Sequence, residues 1–367
     1  MDPIEKEIQE VKEEIKNTPY NKSTEQHIGR LKAKLAKLKE EKRKKAEKQG
    51  GGGKGYAVEK SGDATVVLVG FPSVGKSTLL NSLTGAESKV ADYEFTTLEV
   101  IPGSMKYKGA NIQILDVPGI ISGAADGKGR GREVMSILRN ADLLLLMIDP
   151  FELEQYEEVR DEIYSIGIRV NEEPPNVRID RRESGGLDIQ SPVKLDVSEG
   201  EIKSILQENG IINADVVIRE DLDSDRLIDA IMDNRKYVPA LVLVNKIDLV
   251  DDEKLEEVQD YAKDTIGEDV LYVSAQEGDL NALKERIFDE LGLIRVYLKP
   301  KGEEADMEEP LILRSGANIK DLCREIHRDL LENFRYAQVW GSSAKHPGQK
   351  VAKDHNLSDE DIVRVIS

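Results

Sequence analysis

The sequence predicts an α/β protein whose centre is a parallel sheet covered by crossover helices. Three observations lead to this prediction. Short apolar runs alternate with amphipathic helical stretches through the middle of the chain, which is the order expected of a parallel sheet. The start of the chain shows helical periodicity alone, and its end groups several strands around one helix. With 367 residues, of which 39% are hydrophobic, the chain can fill two or three packed domains.

The first 48 residues predict a helical hairpin with a basic second arm. An apolar stripe recurs at helical spacing before a break at residues 18–21 and again after it. The stripe consists of Ile4, Ile8, Val11 and Ile15, followed by Ile28, Leu31, Leu35 and Leu38. The net charge of the chain is −19, which on average argues against a nucleic-acid partner, but residues 30–48 alone carry +7. That segment is either an arm for phosphate backbone or a solvated charged helix.

The remaining chain divides by composition and spacing. The glycine-rich residues 49–62 predict a linker. A sheet domain is predicted at 63–166 and 236–292, with strands at 65–69, 112–116, 143–149, 240–245 and 271–274. About 90 residues separate the third of these strands from the fourth, too many for one crossover helix, so residues 167–235 predict a small inserted α/β unit. Residues 293–367 follow a strand-strand-helix-strand-strand order and predict a β-grasp unit.

A phosphate-binding loop is predicted directly after the first strand of the sheet. The segment matches the pattern G-x-x-x-x-G-K-[ST] and opens a helix, which is the context that this motif requires. Its backbone N–H groups and the helix N-terminus suit a phosphate. Lys76 is expected to reach the β- and γ-phosphates as a catalytic residue. The nucleotide-binding residues predicted here are Phe71, Pro72, Ser73, Val74, Gly75, Lys76, Ser77 and Thr78.

A magnesium site and a γ-phosphate sensor are predicted around the second strand. Asp116 opens a D-x-x-G motif that ends at Gly119, at the spacing expected after a phosphate-binding loop. The predicted metal ligands are Ser77, Thr97 and Asp116, with Thr96 as the alternative to Thr97. The N–H of Gly119 is expected to sense the γ-phosphate. Thr97 and Gly119 therefore join Lys76 as predicted catalytic residues.

The base is predicted to be guanine. Asn245, Lys246 and Asp248 end a later apolar strand, and the carboxylate of Asp248 can accept both N1–H and 2-NH₂ of guanine. Adenine lacks both donors and would leave a buried carboxylate unpaired. Asn245 is expected to tie this loop to the phosphate-binding loop. Ser274 and Ala275 end the next strand, and the N–H of Ala275 is expected to meet guanine O6.

The residue after the D-x-x-G motif is Ile120, where many GTP hydrolases have a glutamine that orients the attacking water. Isoleucine cannot do this, so the sequence predicts slow hydrolysis, or water held by backbone, a cation or a partner. Residues 121–132 are rich in glycine and carry Lys128, Arg130 and Arg132. They predict a switch segment. Its arginines either stabilise charge in the nucleotide site of the same chain, or they are exposed to solvent or bind a partner.

The other features exclude several classes of protein. The single cysteine, Cys323, allows no intramolecular disulfide and predicts an intracellular, cytoplasmic location. No membrane span is predicted, because the longest apolar run is residues 143–148 and a span needs about 20 residues. Trp340 is the only tryptophan. Core packing is its default interpretation, and stacking on a nucleic-acid base is the alternative.

Several motifs together resemble the developmentally regulated GTP-binding protein (DRG) family of the Obg-like GTPases. They are Ser61-Gly62-Asp63-Ala64, residues 70–77, residues 93–97, residues 116–119 with 126–132, residues 339–343, and Lys353-Asp354-His355. The resemblance spans nearly the whole chain. It implies a Ras-like GTPase domain with an inserted unit like domain 2 of ribosomal protein S5, an N-terminal helical hairpin and a C-terminal TGS domain.

The resemblance also implies GTP hydrolysis with Mg²⁺ and a hydrophobic residue at the catalytic position. It implies association with ribosomes or RNA in translation, which we expect to involve the basic N-terminal arm and the TGS domain. Some related enzymes bind a catalytic K⁺ through an asparagine where this chain has Ser73, so K⁺ dependence stays open. Eukaryotic members use a regulatory protein at the TGS end. Two alternatives remain: an Obg-like ATPase, against which Asp248 counts, and an RNA- or ribosome-binding scaffold with a non-catalytic nucleotide site.

Overall fold

The structure is a computed structural model that describes residues 3–49, 61–85, 100–117, 131–267 and 269–367. These residues divide into two compact units, which are treated separately below. One unit is drawn from Met1–Gly55 and Glu172–Tyr237, and the other from Tyr56–Asn171 and Val238–Ser367. The finer five-part division expected from the sequence stays a prediction.

The described elements are as follows. The helices are α1 (Pro3–Asn17), α2 (Glu25–Gln49), α3 (Lys76–Thr84), α4 (Gly131–Asn140), α5 (Gln155–Ser165), α6 (Glu199–Glu208), α7 (Ser224–Met232), α8 (Asp252–Tyr261), α9 (Asn281–Glu290), α10 (Ile319–Ile326) and α11 (Arg328–Glu332). The strands are β1 (Ala64–Val69), β2 (Ile101–Tyr107), β3 (Ala110–Asp116), β4 (Leu143–Ile148), β5 (Ile168–Val170), β6 (Val177–Arg181), β7 (Leu187–Gln190), β8 (Ala214–Ile218), β9 (Lys236–Val238), β10 (Ala240–Val244), β11 (Val270–Tyr272), β12 (Leu293–Leu298), β13 (Leu311–Arg314), β14 (Tyr336–Trp340), β15 (Gln349–Val351) and β16 (Asp361–Ile366).

The larger unit is built on a six-stranded sheet in the order β11-β10-β4-β1-β3-β2. Its five strands other than β2 run parallel, and they match the five that the sequence predicts. The sequence does not predict β2, which pairs antiparallel with β3 at the edge of the sheet. Its Pro102 and Gly103 disfavour a central strand, but an edge strand tolerates both.

Helices cover both faces of this sheet, so β1 and β4 are buried along their whole length. One face packs against the apolar sides of α4, α5 and α8, through residues such as Leu138, Ile163 and Val258. The other face packs against α3 and α9, through Leu79 and Ile287. The carboxyl ends of β1, β3, β4, β10 and β11 all lie at the same edge, because these strands run parallel.

The C-terminal part of this unit is a five-stranded sheet in the order β13-β12-β16-β14-β15. Helix α10 covers one face, and its Leu322 and Cys323 are fully buried. The helical spacing of Leu322, Ile326 and Leu330 predicts one helix over residues 319–331, and this prediction is wrong in one respect. The helix breaks at His327, whose backbone is extended and whose ring Nδ1 accepts the N–H of Asp329. The sequence also misses β15, a three-residue strand that follows a proline and a glycine.

The smaller unit consists of the N-terminal hairpin and the inserted segment, which pack together. Helices α1 and α2 pack along the predicted apolar stripe. The insertion contains a three-stranded sheet, β6-β8-β7, with α6 and α7 on it. Helix α2 also packs against α6, and its Ala33 lies in the core of the insertion with no exposure. The described residues contain no helix long and apolar enough to cross a membrane.

Candidate nucleotide-binding site

The loop between β1 and α3 forms a tight turn that depends on two glycines. Gly75 has φ of +100°, and a Cβ there would lie 2.3 Å from Nδ2 of Asn245. A Cβ on Gly70 would lie 2.6 Å from the carbonyl oxygen of Met147. Ser73 also adopts a positive φ, +65°. The loop residues Pro72 and Ser73 and the first-turn residues Ser77 and Thr78 are exposed, whereas Val74 is buried.

Lys76 begins α3, and its side chain folds back onto this loop. Its Nζ donates to the carbonyl oxygens of Gly70, at 2.9 Å, and Phe71, at 2.8 Å. Burial lowers the pKa of Lys76, and the negative charge of Asp116 opposes that shift. The ammonium and the N-terminus of α3 thus place positive charge at the carboxyl edge of the sheet, where both favour a phosphate.

The candidate metal ligands Ser77 and Asp116 meet beside Lys76. The hydroxyl of Ser77 donates to Oδ2 of Asp116 at 2.6 Å. Asp116 is 4% exposed, and its Oδ1 is buried without a hydrogen-bond partner among the described residues. A hydroxyl and an unsatisfied carboxylate oxygen suit Mg²⁺, which takes oxygen ligands.

The described part of the chain offers few ligands for Mg²⁺. The described residues contain no group of three or more His, Cys, Asp or Glu side chains placed to hold a metal. Mg²⁺ in nucleotide sites usually keeps several waters and binds substrate phosphates, so two protein ligands are compatible with it. The other predicted ligand, Thr97, lies outside the described residues, as do Thr96, Gly119 and Ile120.

Asn245 joins three segments of the chain. It is 2% exposed, and its Nδ2 donates to the carbonyl oxygen of Val74 in the phosphate-binding loop at 2.9 Å. Its Oδ1 accepts the N–H of Ala275 at 2.9 Å. The sequence predicts that this N–H meets guanine O6, whereas in the structure it is donated to Asn245. Ser274 accepts the N–H of Glu277 through its hydroxyl and so stabilises the turn after β11.

Lys246 has a partner that the sequence analysis missed. Its Nζ lies 2.7 Å from Oδ2 of Asp149, and Lys246 holds a positive φ of +64°. Asp149 follows β4, and its Oδ1 also accepts the N–H of Phe151. The position of Asp149 in the sequence could have indicated its role. An acidic residue at the carboxyl end of a buried parallel strand lies at the ligand-binding edge of the sheet.

Asp248 lies in a short 3₁₀ turn, Ile247–Leu249, just beyond this ion pair. It is exposed, and its carboxylate makes no hydrogen bond to any described residue. A carboxylate with both oxygens available can accept two donors from one edge of a base. The structure therefore brings the loop of Lys76, the Ser77–Asp116 pair, and the Asn245 and Ala275 loops to one edge of the sheet.

Three family models match successive segments of the chain. A family model described as a 50S ribosome-binding GTPase matches residues 65–180, and a model of the C-terminal region of that domain matches 184–293. A TGS-domain model matches 294–367. The chain is similar to Developmentally-regulated G-protein 3 of Arabidopsis thaliana, with 45% identity over 100% of this chain and 99% of that protein.

Developmentally-regulated GTP-binding protein 1 of Xenopus laevis is 43% identical, over 98% of each chain. This chain belongs to the developmentally regulated GTP-binding protein family. An uncharacterized GTP-binding protein of Methanocaldococcus jannaschii is 54% identical over 99% of this chain and 93% of its own length. The solved YchF GTPase of Schizosaccharomyces pombe covers 85% of this chain and 100% of its own, at 13% identity and a TM-score of 0.49. This family member is thus a GTP-binding protein with a P-loop GTPase domain and a C-terminal TGS domain.

Proposed function

We propose that this DRG-family protein is a slow GTP-hydrolysing switch that acts on ribosomes or RNA. The observation that carries the proposal is the meeting of Lys76, the Ser77–Asp116 pair and Asn245 at one edge of the sheet. Such an arrangement positions phosphates, metal and base together, which is most of what phosphoryl transfer requires.

Each residue has a proposed role in that reaction. Lys76 contacts the β- and γ-phosphates, and Ser77, Thr97 and Asp116 hold Mg²⁺, the last through water. When bound, Mg²⁺ supplies charge neutralisation at the phosphate oxygens. The N–H of Gly119 reports the γ-phosphate, and Asp248 accepts from guanine. Because Ile120 cannot orient water, we expect slow turnover unless a cation or a partner assists.

The proposed RNA contact lies on the exposed side of α2. Many basic residues of this helix are already neutralised: Lys32 by Asp225, Lys34 by Glu7, and Lys42 by Glu5. Arg30 and Lys37, in contrast, are exposed and form no ion pair with a described residue. They lie two helical turns apart on one face, about 10 Å along the axis. The description of the matching family model, a ribosome-binding GTPase, supports a ribosomal partner.

The test is sedimentation of the full-length protein with ribosomes in a non-hydrolysable GTP analogue, in GDP and without nucleotide. We expect co-sedimentation that depends on the nucleotide and weakens as salt rises. The double variant Arg30→Glu with Lys37→Glu should reduce it by about tenfold or more. The matched control is Lys12→Glu with Lys16→Glu, the same charge change at exposed sites on α1. Equal sedimentation of both variants would contradict the arm as the RNA contact.

Two alternative functions can be distinguished from this proposal by experiment. If the protein were an ATPase, ADP would bind more tightly than GDP, which the position of Asp248 opposes. If the nucleotide site were non-catalytic, Lys76→Ala would leave ribosome association unchanged and wild-type protein would show no turnover. A direct measurement of nucleotide affinity and phosphate release decides among the three.

A further inference from the structure

The acidic residue that follows β4, Asp149, holds a side chain of the loop that follows β10. These two strands are adjacent and parallel, and the N–H of Asn245 donates to the carbonyl oxygen of Ile148 at 3.0 Å. The residues that come after the two strands therefore meet. Oδ2 of Asp149 lies 2.7 Å from Nζ of Lys246, and the two side chains are only 15% and 28% exposed. The ion pair is thus partly shielded from water, which strengthens it.

Asp149 is itself held at a second point. Its Oδ1 accepts the N–H of Phe151 at 3.0 Å, so the carboxylate cannot turn away from Lys246 without losing that hydrogen bond. Both oxygens of Asp149 are therefore in use. A carboxylate can accept at both oxygens, whereas an amide has one accepting oxygen. The two contacts together thus require an acid at this position, and they fix where the ammonium of Lys246 lies.

The backbone of Lys246 is constrained as well. Its φ of +64° lies in the left-handed region, where residues other than glycine are uncommon. The N–H of Leu249 donates to the carbonyl oxygen of Lys246 at 3.0 Å and closes the turn that contains Asp248. Strained residues of this kind persist where the surrounding contacts hold them, and they concentrate at ligand sites. The contact with Asp149 is one of the contacts that hold Lys246.

The alternative partner of Lys246 is the carboxylate that is proposed to bind the base. Asp248 lies two residues further along the chain, is exposed, and makes no hydrogen bond to any described residue. A lysine side chain is long and flexible, so an ammonium that nothing else held would be attracted to this neighbouring carboxylate. Pairing of that kind would occupy an oxygen of Asp248 that guanine needs.

We propose that Asp149 is a positioning residue for base recognition. It holds Lys246 away from Asp248 and so keeps both oxygens of that carboxylate available to guanine. The inference rests on the proposed role of Asp248 and adds a residue that lies outside the motifs read from the sequence. Without Asp149, guanine would have to displace an ammonium from Asp248, and the site would lose both affinity and selectivity.

The test compares the affinity of the full-length protein for GDP and for inosine diphosphate, which lacks the 2-NH₂. Asp149→Asn keeps an oxygen for the N–H of Phe151 but removes the charge that holds Lys246. We expect GDP affinity to fall about fivefold, which is the competition that an exposed ion pair provides. The preference for GDP over inosine diphosphate should narrow. The matched control, Glu154→Gln, removes an exposed charge nearby and should bind both nucleotides as wild type does.

A second background separates positioning from a merely structural role. Lys246→Met has no ammonium to hold, so adding Asp149→Asn to it should change GDP affinity by less than about twofold. An equal loss of GDP affinity in both backgrounds would overturn the proposal, because Asp149 would then act through the shape of its own loop. An unchanged ratio of the two affinities in Asp149→Asn would overturn it as well, because the effect would not pass through Asp248.

The outcomes separate this inference from the proposed function. Wild-type protein that binds ADP more tightly than GDP would refute the proposed guanine site itself. Wild-type protein that prefers GDP, together with Asp149→Asn binding GDP equally tightly, would overturn only the role of Asp149. Calorimetry well below the Tm of each variant ensures that folding does not limit the measured affinity.

Discussion

At the scale of single residues, the nucleotide site depends on buried polar groups that satisfy one another. Asn245 uses both ends of its amide, one on Val74 and one on Ala275. Lys76 uses the carbonyl oxygens of its own loop. Asp248, in contrast, has a carboxylate without a hydrogen bond to any described residue, which leaves it available to a ligand. The residue types thus indicate which groups hold the site and which groups read the base.

Asp248→Asn should reverse the base preference of the site. An amide can no longer accept two donors from guanine, so we expect GDP affinity to fall by about a hundredfold or more. Xanthosine diphosphate, which has a carbonyl in place of the 2-NH₂, should bind better to the variant than to wild-type protein. Calorimetry with both nucleotides measures this. The control, Asp252→Asn, changes an exposed carboxylate nearby and should bind GDP as wild type does.

Lys76→Met should remove nucleotide binding and at the same time stabilise the nucleotide-free protein at neutral pH. Burial lowers the pKa of Lys76 below its ordinary 10.5, so the folded state binds fewer protons than the unfolded state as pH rises towards that value. Wild-type stability therefore rises with pH relative to the variant. We expect the Tm of Lys76→Met to exceed that of wild-type protein at neutral pH, and this difference in Tm to become smaller as the pH is raised to about 10. A difference that widens with pH would contradict a charged, desolvated Lys76.

At the scale of elements, the second hairpin helix is part of the inserted domain as well as of the hairpin. Gly29 allows α2 to approach α6, because a Cβ there would lie 2.8 Å from Cγ of Glu201. Glu201 is 1% exposed, its carboxylate accepts the hydroxyl of Ser224, and burial raises its pKa. A buried carboxyl group beside a helical glycine indicates that this contact tolerates little extra volume.

Gly29→Leu should loosen this contact even though leucine is the better helix former. Replacing glycine within a helix gains about 0.5–1 kcal/mol, whereas overpacking a filled contact costs about 1–3 kcal/mol. We expect a net loss of about 1–2 kcal/mol, seen as faster hydrogen exchange in α2 and α6. Lys37→Leu adds the same side chain at an exposed position of α2 and should not accelerate exchange. Slower exchange in Gly29→Leu would show that helix propensity outweighs the packing.

At the scale of the whole molecule, charge is strongly segregated. In a chain with net charge −19, some cations have no acidic partner among the described residues: Arg30 and Lys37 on α2, and Lys350 and Arg364 on the face of the C-terminal sheet opposite α10. The average charge opposes non-specific binding to nucleic acid, while local basic surfaces can direct a specific encounter. Such a protein should bind RNA with an affinity that falls steeply with salt but should not coat nucleic acid indiscriminately.

Turnover by the intact protein alone should be slow, well below about 1 s⁻¹, because Ile120 replaces a water-orienting glutamine. Phosphate release measured in KCl and in NaCl at equal ionic strength tests whether a potassium ion assists. Faster release in KCl alone would support cation assistance at Ser73, and Lys76→Ala should abolish release in both salts. Fast turnover in NaCl without a partner would mean that another catalytic group is present.

Residue types and their spacing predict that the chain binds GTP and where the five parallel strands of the central sheet lie. Both depend on local information: residue types at short spacing, such as those around Lys76 and Asn245, and apolar runs that must be buried. Three features could be seen only in the folded protein: the pairing of Asp149 with Lys246, the packing of α2 on the insertion, and the place of Trp340 on the sheet face opposite α10. These contacts join residues far apart in the chain, and their energy depends on which surfaces meet after folding, which no local pattern records.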